Sequence, residues 1–531
     1  MNAKKWGRGL LVVPMCALMA LSGCSDDDDD DFVADAGDGG AVRPDGGMDA
    51  STGDASYADF NIKPTAISAT GHDRFFGVTY DEQGNIFAVG QTATGTATTD
   101  DTSVVVAKFK PTGELDTTFG APNGYKIHNL NVGGQNVETA RGIVVIKSGA
   151  NAGKIVIAGE ADRPGVGLDA GVTSRDTDVV LARLLANGEL DPSFGTAGVR
   201  RHDLGTGVET QLADGGVQLS GADTIWSLGQ TSDGKLVLHG ASRATGTFAD
   251  GGARTDTDYT LVRVLETGDL DTTFATTGFV RTDVGEVNAG ARAATVLADN
   301  SVVAAGYTTS TVLGQNTQQP VLYKVSPTGV PDNTFAAGGP PDALATQGVW
   351  HGYARNDQQR AEAYGAALQG DKFVTVGYGP TPTSTGGSGS DWVFFRFNAN
   401  GTQDKTFGTN GETFIDVAKY GDNGRAVTVL PDNRVFAVGG GRRAPAAGVV
   451  VDAGTQPSDV DGVVVVLTPT GAPDVSFGTG GFRTLDWGNA DFLHAAAVAP
   501  GKKQVAVVGA AGGGREATSD DDAVLVLWTL P

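Results

Sequence analysis

The chain has 531 residues, 79 of them Gly, with 38 Lys+Arg against 62 Asp+Glu and a formal charge of −24. With 40% hydrophobic residues it can bury a sizeable core, which excludes wholesale disorder, and a Gly content about twice the usual ~7% calls for many turns. A balance this acidic argues against a phosphate-backbone partner, so no nucleic acid is expected.

Lys4, Lys5 and Arg8 precede an apolar run from Gly9 to Leu21, the order of an export signal. That run is too short to span a bilayer, and no later stretch approaches the ~18 apolar residues a span needs. It ends in Leu21-Ser22-Gly23-Cys24, which resembles the lipobox of bacterial lipoproteins. The resemblance implies cleavage before Cys24, a signal peptide at 1–23, and a diacylglyceryl thioether plus an amide-linked acyl chain such as palmitate on Cys24. More than one chain is what stable anchoring needs. An ordinary secretory signal with an incidental Cys is the plainer alternative. By the common rule, Ser25 after the lipidated Cys favours the outer membrane of a bacterial cell envelope. Cys16 lies inside the signal, so the mature chain has no disulfide, and Cys catalysis and Cys-ligated zinc are excluded.

Residues 24–59 read as the lipidated Cys followed by a disordered tether. Asp26 to Asp31 run without a break, six more Asp follow at 35, 38, 45, 49, 54 and 59, and Arg43 is the one cation. Such a stretch cannot bury a core, and its like charges extend it.

Residues 60–531 are a repeat array. Gly-x-x-Asp-x-Ser/Thr-Phe-Gly/Ala occurs six times, at Gly113/Asp116/Phe119, Gly188/Asp191/Phe194, Gly268/Asp271/Phe274, Gly329/Asp332/Phe335, Gly401/Asp404/Phe407 and Gly471/Asp474/Phe477. A β-rich run ending in Gly occurs seven times, at Gly90, Gly159, Gly240, Gly306, Gly377, Gly439 and Gly509, about every 70 residues. Each unit continues through a Gly/Ala/Thr/Asp loop, a second apolar run such as SVVVAKF or WVFFRF, the Asp-x-Ser/Thr-Phe turn and a short extended piece. Four strands repeated seven times predict an all-β, seven-bladed β-propeller, with an open solenoid as the lesser alternative. The last unit lacks the turn and the first begins with the extra piece FNIKPTAIS, so Phe60–Ser68 is expected to complete the sheet containing Val524–Leu530.

The motif is similar to that of the delta-60 repeat family, β-propeller-type repeats of secreted and envelope-linked bacterial proteins with a core pattern near G-x-L-D-x-S-F-G-x-x-G. GELDTTFG and GELDPSFGTAG match well, GVPDNTFAAGG and GTQDKTFGTNG less so. The resemblance implies architecture and carries over no catalytic residue.

Three registers hang on the motif Asp. The Phe reads as inter-blade core, and the Asp as an Asx-turn acceptor helped by the Ser/Thr hydroxyl. Eight residues upstream stand Lys108, Arg183, Arg263, Lys324 and Arg396, with Val466 the exception. These should meet the Asp across a hairpin as an ion pair; a ring of cations for an anionic ligand is the sharper alternative. Thirteen and fifteen residues upstream stand Asp176/Asp178, Asp256/Asp258 and Asp459/Asp461, with Asp101 and Asp391 as partial copies. Paired carboxylates suit a hard cation such as Ca²⁺, while capping at a strand start explains them too.

His72, His128, His202, His239, His351 and His494 form no HExxH or HxH pattern, and no G-x-S-x-G elbow, P-loop or dinucleotide fingerprint occurs. His351 and Trp350, within the insertion from Pro340 to Arg360, occupy the most irregular place. The reading is a monomeric, lipid-anchored envelope protein whose propeller is a non-enzymatic binding module for a protein or glycan. The alternative is a Ca²⁺-assisted hydrolase or lactonase with a site at the channel mouth, which needs an unrepeated cluster of carboxylates and His on the axis.

Overall fold

The recurring apolar runs form strands that the computed structural model gathers into seven four-stranded antiparallel sheets. It describes residues 60–95, 101–130, 138–162, 177–205, 208–211, 217–220, 223–248, 251–310, 317–337, 348–352, 361–380, 389–417, 420–442, 460–487, 491–501, 503–512 and 521–530. Blade I comprises Asp73–Tyr80, Ile86–Ala93, Thr102–Phe109 and Tyr125–His128; blade II, Glu138–Val145, Ile155–Asp162, Thr177–Leu184 and Val199–His202. Blade III comprises Thr224–Gln230, Leu236–Arg243, Thr257–Val264 and Phe279–Thr282; blade IV, Ala289–Val296, Val302–Ser310, Thr317–Val325 and Val349–His351. Blade V comprises Glu362–Gln369, Lys372–Pro380, Ser390–Phe397 and Glu412–Ile415; blade VI, Asp422–Val429, Val435–Arg442, Val460–Leu467 and Phe482–Leu485. Blade VII comprises Phe492–Val498, Gln504–Ala511, Asp522–Thr529 and, as its outer strand, Phe60–Thr65. The first strands of successive blades meet in a closed circle, that of blade I touching those of blades II and VII, which is a β-propeller. A further hairpin, Val208–Gln211 with Val217–Ser220, falls between blades II and III in the chain and has no counterpart among the described residues of the other blades.

The middle strands are apolar at successive positions because each blade is covered on both faces. Ile155–Asp162 and Val460–Leu467 are buried at every residue. The core is accordingly divided among the blade interfaces: Phe75, Ile86 and Val105 of blade I, for example, pack with Val508 and Leu525 of blade VII. The outer strands are short and half-exposed with charged residues, as in YKIH, VRRH and FVRT, which guards their free edges against pairing with other sheets. Closure follows from the two chain ends. Phe60 lies opposite Trp528 and Thr65 opposite Ala523 in an antiparallel ladder, so one sheet is built from both ends of the array.

The seven marker glycines do not end their strands. Each lies within the second strand, opposite the residue that precedes a β-bulge in the first: Gly90 faces Phe75, Gly159 Ala140, Gly240 Ile225, Gly306 Ala291, Gly377 Ala363, Gly439 Gly424 and Gly509 Leu493. A Cβ at any of these glycines would overlap the carbonyl oxygen of the first-strand residue one position earlier, Arg74, Thr139, Thr224, Gly290, Glu362, Asn423 or Phe492. The recurring glycine is therefore the space the bulge needs. Gly240→Ala should destabilise the protein by on the order of 2–4 kcal/mol in urea unfolding. Gly501→Ala, where a Cβ would meet nothing within 4 Å, should be near neutral by the same measurement.

Candidate functional site

The motif turn is built by backbone first. Asp116, Asp191, Asp271, Asp332, Asp404 and Asp474 each donate their N–H to the carbonyl eight residues upstream, at 2.7–2.9 Å, which sets the two side chains side by side. Arg183 Nε then donates to Asp191 Oδ2 at 2.8 Å, Arg263 to Asp271 at 2.7 Å and Arg396 to Asp404 at 2.8 Å; Lys108 lies 2.9 Å from Asp116 and Lys324 3.8 Å from Asp332. The other carboxylate oxygen accepts the N–H and hydroxyl of the Ser/Thr two residues on, as in Ser193 to Asp191 at 3.1 and 2.7 Å. Lys108 and Thr118 hold Asp116 down at about 2. Phe119, Phe194, Phe274, Phe335, Phe407 and Phe477 are all buried. The rings of Phe119, Phe194, Phe335 and Phe407 fill the space over the motif glycine of the next blade, where a Cβ on Gly188, Gly268, Gly401 or Gly471 would strike them. The motif is thus a coupling between blades.

A second basic register, unremarked in the sequence, serves the same carboxylates. Lys154, Lys235, Lys372 and Arg434 stand at or just before the second strands and reach Asp191, Asp271, Asp404 and Asp474 at 2.7, 3.2, 2.6 and 3.1 Å. Arg434 supplies the cation that Val466 does not. It was legible as the basic residue heading the runs KIVIAG, KLVLHG, KFVTVG and RVFAVG.

Asp176 and Asp459 lie outside the described residues. Asp256 and Asp258 are buried beside Asp283 and bound to Arg254, whose Nη2 reaches Asp258 and Asp283 at 2.9 Å each as well as Asp256. Asp178 is buried, with Arg201 at 3.5 Å, and Asp461 groups with Asp486 and Asp491. Asp391 groups with Asp416 and Asp422. Asp101 is half-buried, its carbonyl accepting the Thr94 N–H at 3.0 Å.

Carboxylates at the starts of the first strands, of which Asp422 and Asp491 belong to these clusters, were missed in the sequence and join one blade to the next. Asp73, Glu138, Asp223, Asp422 and Asp491 stand at the start of a first strand and accept the N–H of Ile67, Leu130, Leu204, Val417 and Trp487, just beyond the outer strand of the preceding blade. Burial pushes Asp223 up to about 8 against the Leu204 hydrogen bond. Its folded value exceeds the unfolded one, so its contribution is full in acid and lost as pH rises toward 8.

On the axis, the seven bulges present one residue each: Phe76, Arg141, Trp226, Arg292, Tyr364, Arg425 and His494. Cation and ring alternate. The Arg141 guanidinium lies 5.4 Å from the Phe76 ring and 4.3 Å from Trp226, that of Arg292 4.2 Å from Trp226 and 4.4 Å from Tyr364, and that of Arg425 4.2 Å from Tyr364 and 5.1 Å from Phe492. An odd ring cannot alternate throughout, and the break falls at His494, which packs against Phe492 at 5.2 Å and closes on Phe76 at 5.0 Å. Glu160 takes the edge of Arg141 at 2.6 Å and Glu362 that of Arg292 at 3.5 Å. The belt therefore links the seven first strands through stacked cations and rings, each cation over a ring contributing about 0.5–2 kcal/mol. In six blades its residue sits 13–15 positions before the marker glycine, and in blade II 18 before.

The other histidines are dispersed. His351 is buried with Nδ1 3.3 Å from Gln319 Oε1, and Trp350 packs on Phe395 and Phe397. His202 Nε2 is 2.8 Å from the Gly268 carbonyl, and His72 Nδ1 is 3.1 Å from Asp521. Burial pushes His128 down to about 4 and His239 down to about 3, which leaves both neutral at physiological pH.

A sequence family described as "Domain of unknown function (DUF5122) beta-propeller" matches residues 169–194. No curated protein matches the chain. Among solved structures it is similar to a streptogramin B lyase, at 8% identity and a TM-score of 0.39, covering 89% of this chain and 99% of that one. It is also similar to the Pan2 WD40 domain of Neurospora crassa, at 9% identity and a TM-score of 0.37, covering 87% and 90%. A mutant Trypanosoma rangeli sialidase gives 8% and 0.37, covering 86% and 54%. At these values the likenesses carry no information on activity or ligand.

Two outcomes are expected. A double-mutant cycle on Trp226→Leu and Arg292→Leu, read by urea unfolding, should show a coupling of about 0.5–2 kcal/mol. The thermal midpoint should fall from pH 5 to pH 9, and Asp223→Asn should flatten that slope.

Proposed function

We propose that the chain is a lipid-anchored protein of the bacterial cell envelope, a delta-60-type lipoprotein, whose propeller is a non-enzymatic binding module. The observation that carries this is the placing of its unrepeated sequence. The segments joining second to third strands leave every blade at the end where the first strands begin, and they differ in length and composition from blade to blade, the longest being 443–459. Varied loops on one face of a rigid, repeated scaffold are the usual form of a recognition surface. The recurring charges, by contrast, serve internal pairs between and within blades. The partner is a protein or glycan, the chain acts as a monomer, and no cofactor is assigned beyond Ca²⁺ as a candidate ligand of the acidic clusters.

Membrane attachment runs through Cys24, with residues 1–23 removed as the signal peptide and 25–59 as the spacer, and the outer membrane is the expected site. Cys24→Ser should abolish incorporation of labelled palmitate and move the protein from the membrane to the soluble fraction of fractionated cells. Unchanged membrane recovery would overturn the anchor. For the binding role, arrayed envelope glycans and isolated cell-wall material should retain the protein, and replacing 443–459 by a short Gly/Ser link should weaken retention while leaving the thermal midpoint in place. Turnover of a lactone or ester panel by the purified chain would instead favour an enzyme.

A further inference from the structure

The residue before each marker glycine faces the following blade and is apolar in every unit but one. Val89 packs with blade II and Val508 with blade I. Val89, Ala158, Ala305, Val376, Val438 and Val508 are all buried, and in blade III the same position is held by His239. His239 is fully buried too. Its ring stacks on Tyr259 of the same blade, with centroids 6.1 Å apart and planes at 12°, and Tyr323 of blade IV lies 6.0 Å from it and 5.2 Å from Tyr259. Both Tyr belong to an apolar cluster with Val237, Leu261, Ala304 and Val321.

Three polar atoms in this space have no hydrogen-bond partner among the described residues: Nδ1 and Nε2 of His239 and the hydroxyl of Tyr323. Tyr259 differs, its hydroxyl donating to the Tyr307 carbonyl. His128 and His202, on outer strands, differ as well, since each has a carbonyl of the next blade beside it, that of Gly188 and that of Gly268. An unpaired buried polar group is costly, and an unpaired buried charge far more so. His239 can therefore hold its place as a neutral ring and not as an imidazolium. Charged groups on the strands around it are engaged elsewhere. On its own face Arg243 reaches the Arg254 carbonyl at the loop-bearing end, and Arg263 pairs with Asp271 at the motif turn. Arg292 of blade IV lies over Trp226 on the axis, and its charge and that of Glu362 act on Tyr259, whereas burial is what keeps His239 neutral. Burial also keeps the hydroxyls of Tyr259 and Tyr323 protonated, so neither supplies an anion to balance a proton on His239. Ser227, opposite it in the first strand, is uncharged.

We propose that His239 makes the contact between blades III and IV an acid-labile joint: on taking up a proton the imidazole leaves its place, and this contact opens while that between blades V and VI, with Val376 at the same register, stays closed. The sign follows from where the proton can be held. The ring binds it in the open form and not in the closed one, so the joint is fully closed above the ordinary histidine value of about 6.5 and weakens as pH falls below it. Each pH unit lower raises the open fraction about tenfold, until the buried ring itself titrates at about 3. The carboxylates between blades act in the opposite sense, as Asp223, pushed up to about 8, is stabilising in acid. Whole-chain stability sums both effects, so the joint shows in local opening rather than in the thermal midpoint. The inference does not depend on what the propeller recognises.

The test is hydrogen exchange read by mass spectrometry on the full chain in detergent from pH 7 to pH 4.5, with each rate corrected for the intrinsic pH dependence of exchange. Protection of Leu236–Arg243 and Thr317–Val325, on the two sides of the joint, should fall about tenfold per pH unit below 6.5, roughly a hundredfold by pH 4.5. Protection of Lys372–Pro380 and Val435–Arg442, on the two sides of the V/VI contact, should not follow it. His239→Phe keeps a ring beside Tyr259 and cannot titrate. It should remove the acid fall while leaving protection at pH 7 at or above that of the parent, because it also removes two unpaired polar atoms. His239→Val, which installs the residue of blades I, V, VI and VII, should remove the fall too, even from a lower starting protection. Equal behaviour of the III/IV and V/VI strands in the parent overturns the proposal, whether neither responds to acid or both do. An acid fall that persists in the variants overturns it as well and assigns the effect to another group, such as His202. The parent measurement decides the first point without any variant, so a substitution that fails to fold does not leave the question open.

Discussion

The close approach of two backbones at the marker glycine is the constraint on which the rest of this propeller depends. Because Gly90 and its six counterparts carry no Cβ, the carbonyl of the facing strand can occupy that space, and the facing strand can take up one extra residue. The extra residue has nowhere to go but the axis. Seven such residues meet there, and their alternation of guanidinium and aromatic ring turns seven local irregularities into a single closed contact. A backbone feature worth little by itself thereby fixes how blades are arranged about the centre.

Farther from the axis, adjacent blades are joined twice more, and each joint uses a different physical term. Near the rim, the motif Phe of one blade sits on the motif glycine of the next, and its neighbouring residue donates an N–H across, as Gly120 does to the Asn187 carbonyl at 2.9 Å. At the loop-bearing end, buried carboxylates clasp the backbone arriving from the preceding blade. The apolar joint is cheap to make and tolerant. The carboxylate joint carries charge into a dry seam and obliges the chain to neutralise it, with Arg254 at one seam and other means elsewhere.

Much of this was legible in the sequence, because what repeats every blade is what every blade needs. Strand count, blade count, the Asp–Arg pairing and the sharing of one sheet between Phe60–Thr65 and the last strands follow from the repeated motif and from the turn missing in the final unit. The axial belt was not legible for an equally physical reason. Its seven positions hold Phe, Arg, Trp, Arg, Tyr, Arg and His, so identity does not repeat even though position does. Only knowledge that the glycine faces a bulge tells where to look. The seam carboxylates were half visible: Asp258, Asp391 and Asp461 share a register, but their partners Asp283, Asp416, Asp422, Asp486 and Asp491 come from other strands and a following blade, at offsets that connector length varies.

The sheet shared between the two ends of the array sets an order of events during synthesis. Among the described residues Phe60–Thr65 is the earliest strand of the array to be made, and its sheet partner, Asp522–Thr529, is the last. For nearly the whole period of chain elongation that first strand waits with its hydrogen-bonding edges open. Its sequence is suited to waiting: Lys63 and Pro64 lie within FNIKPT, and a charge together with a residue lacking an N–H discourages premature pairing with the wrong strand. The ring can be completed only when the final strand arrives, so a ribosome that stops one blade early releases a chain with two unpaired edges, a form that proteolysis or aggregation can recognise.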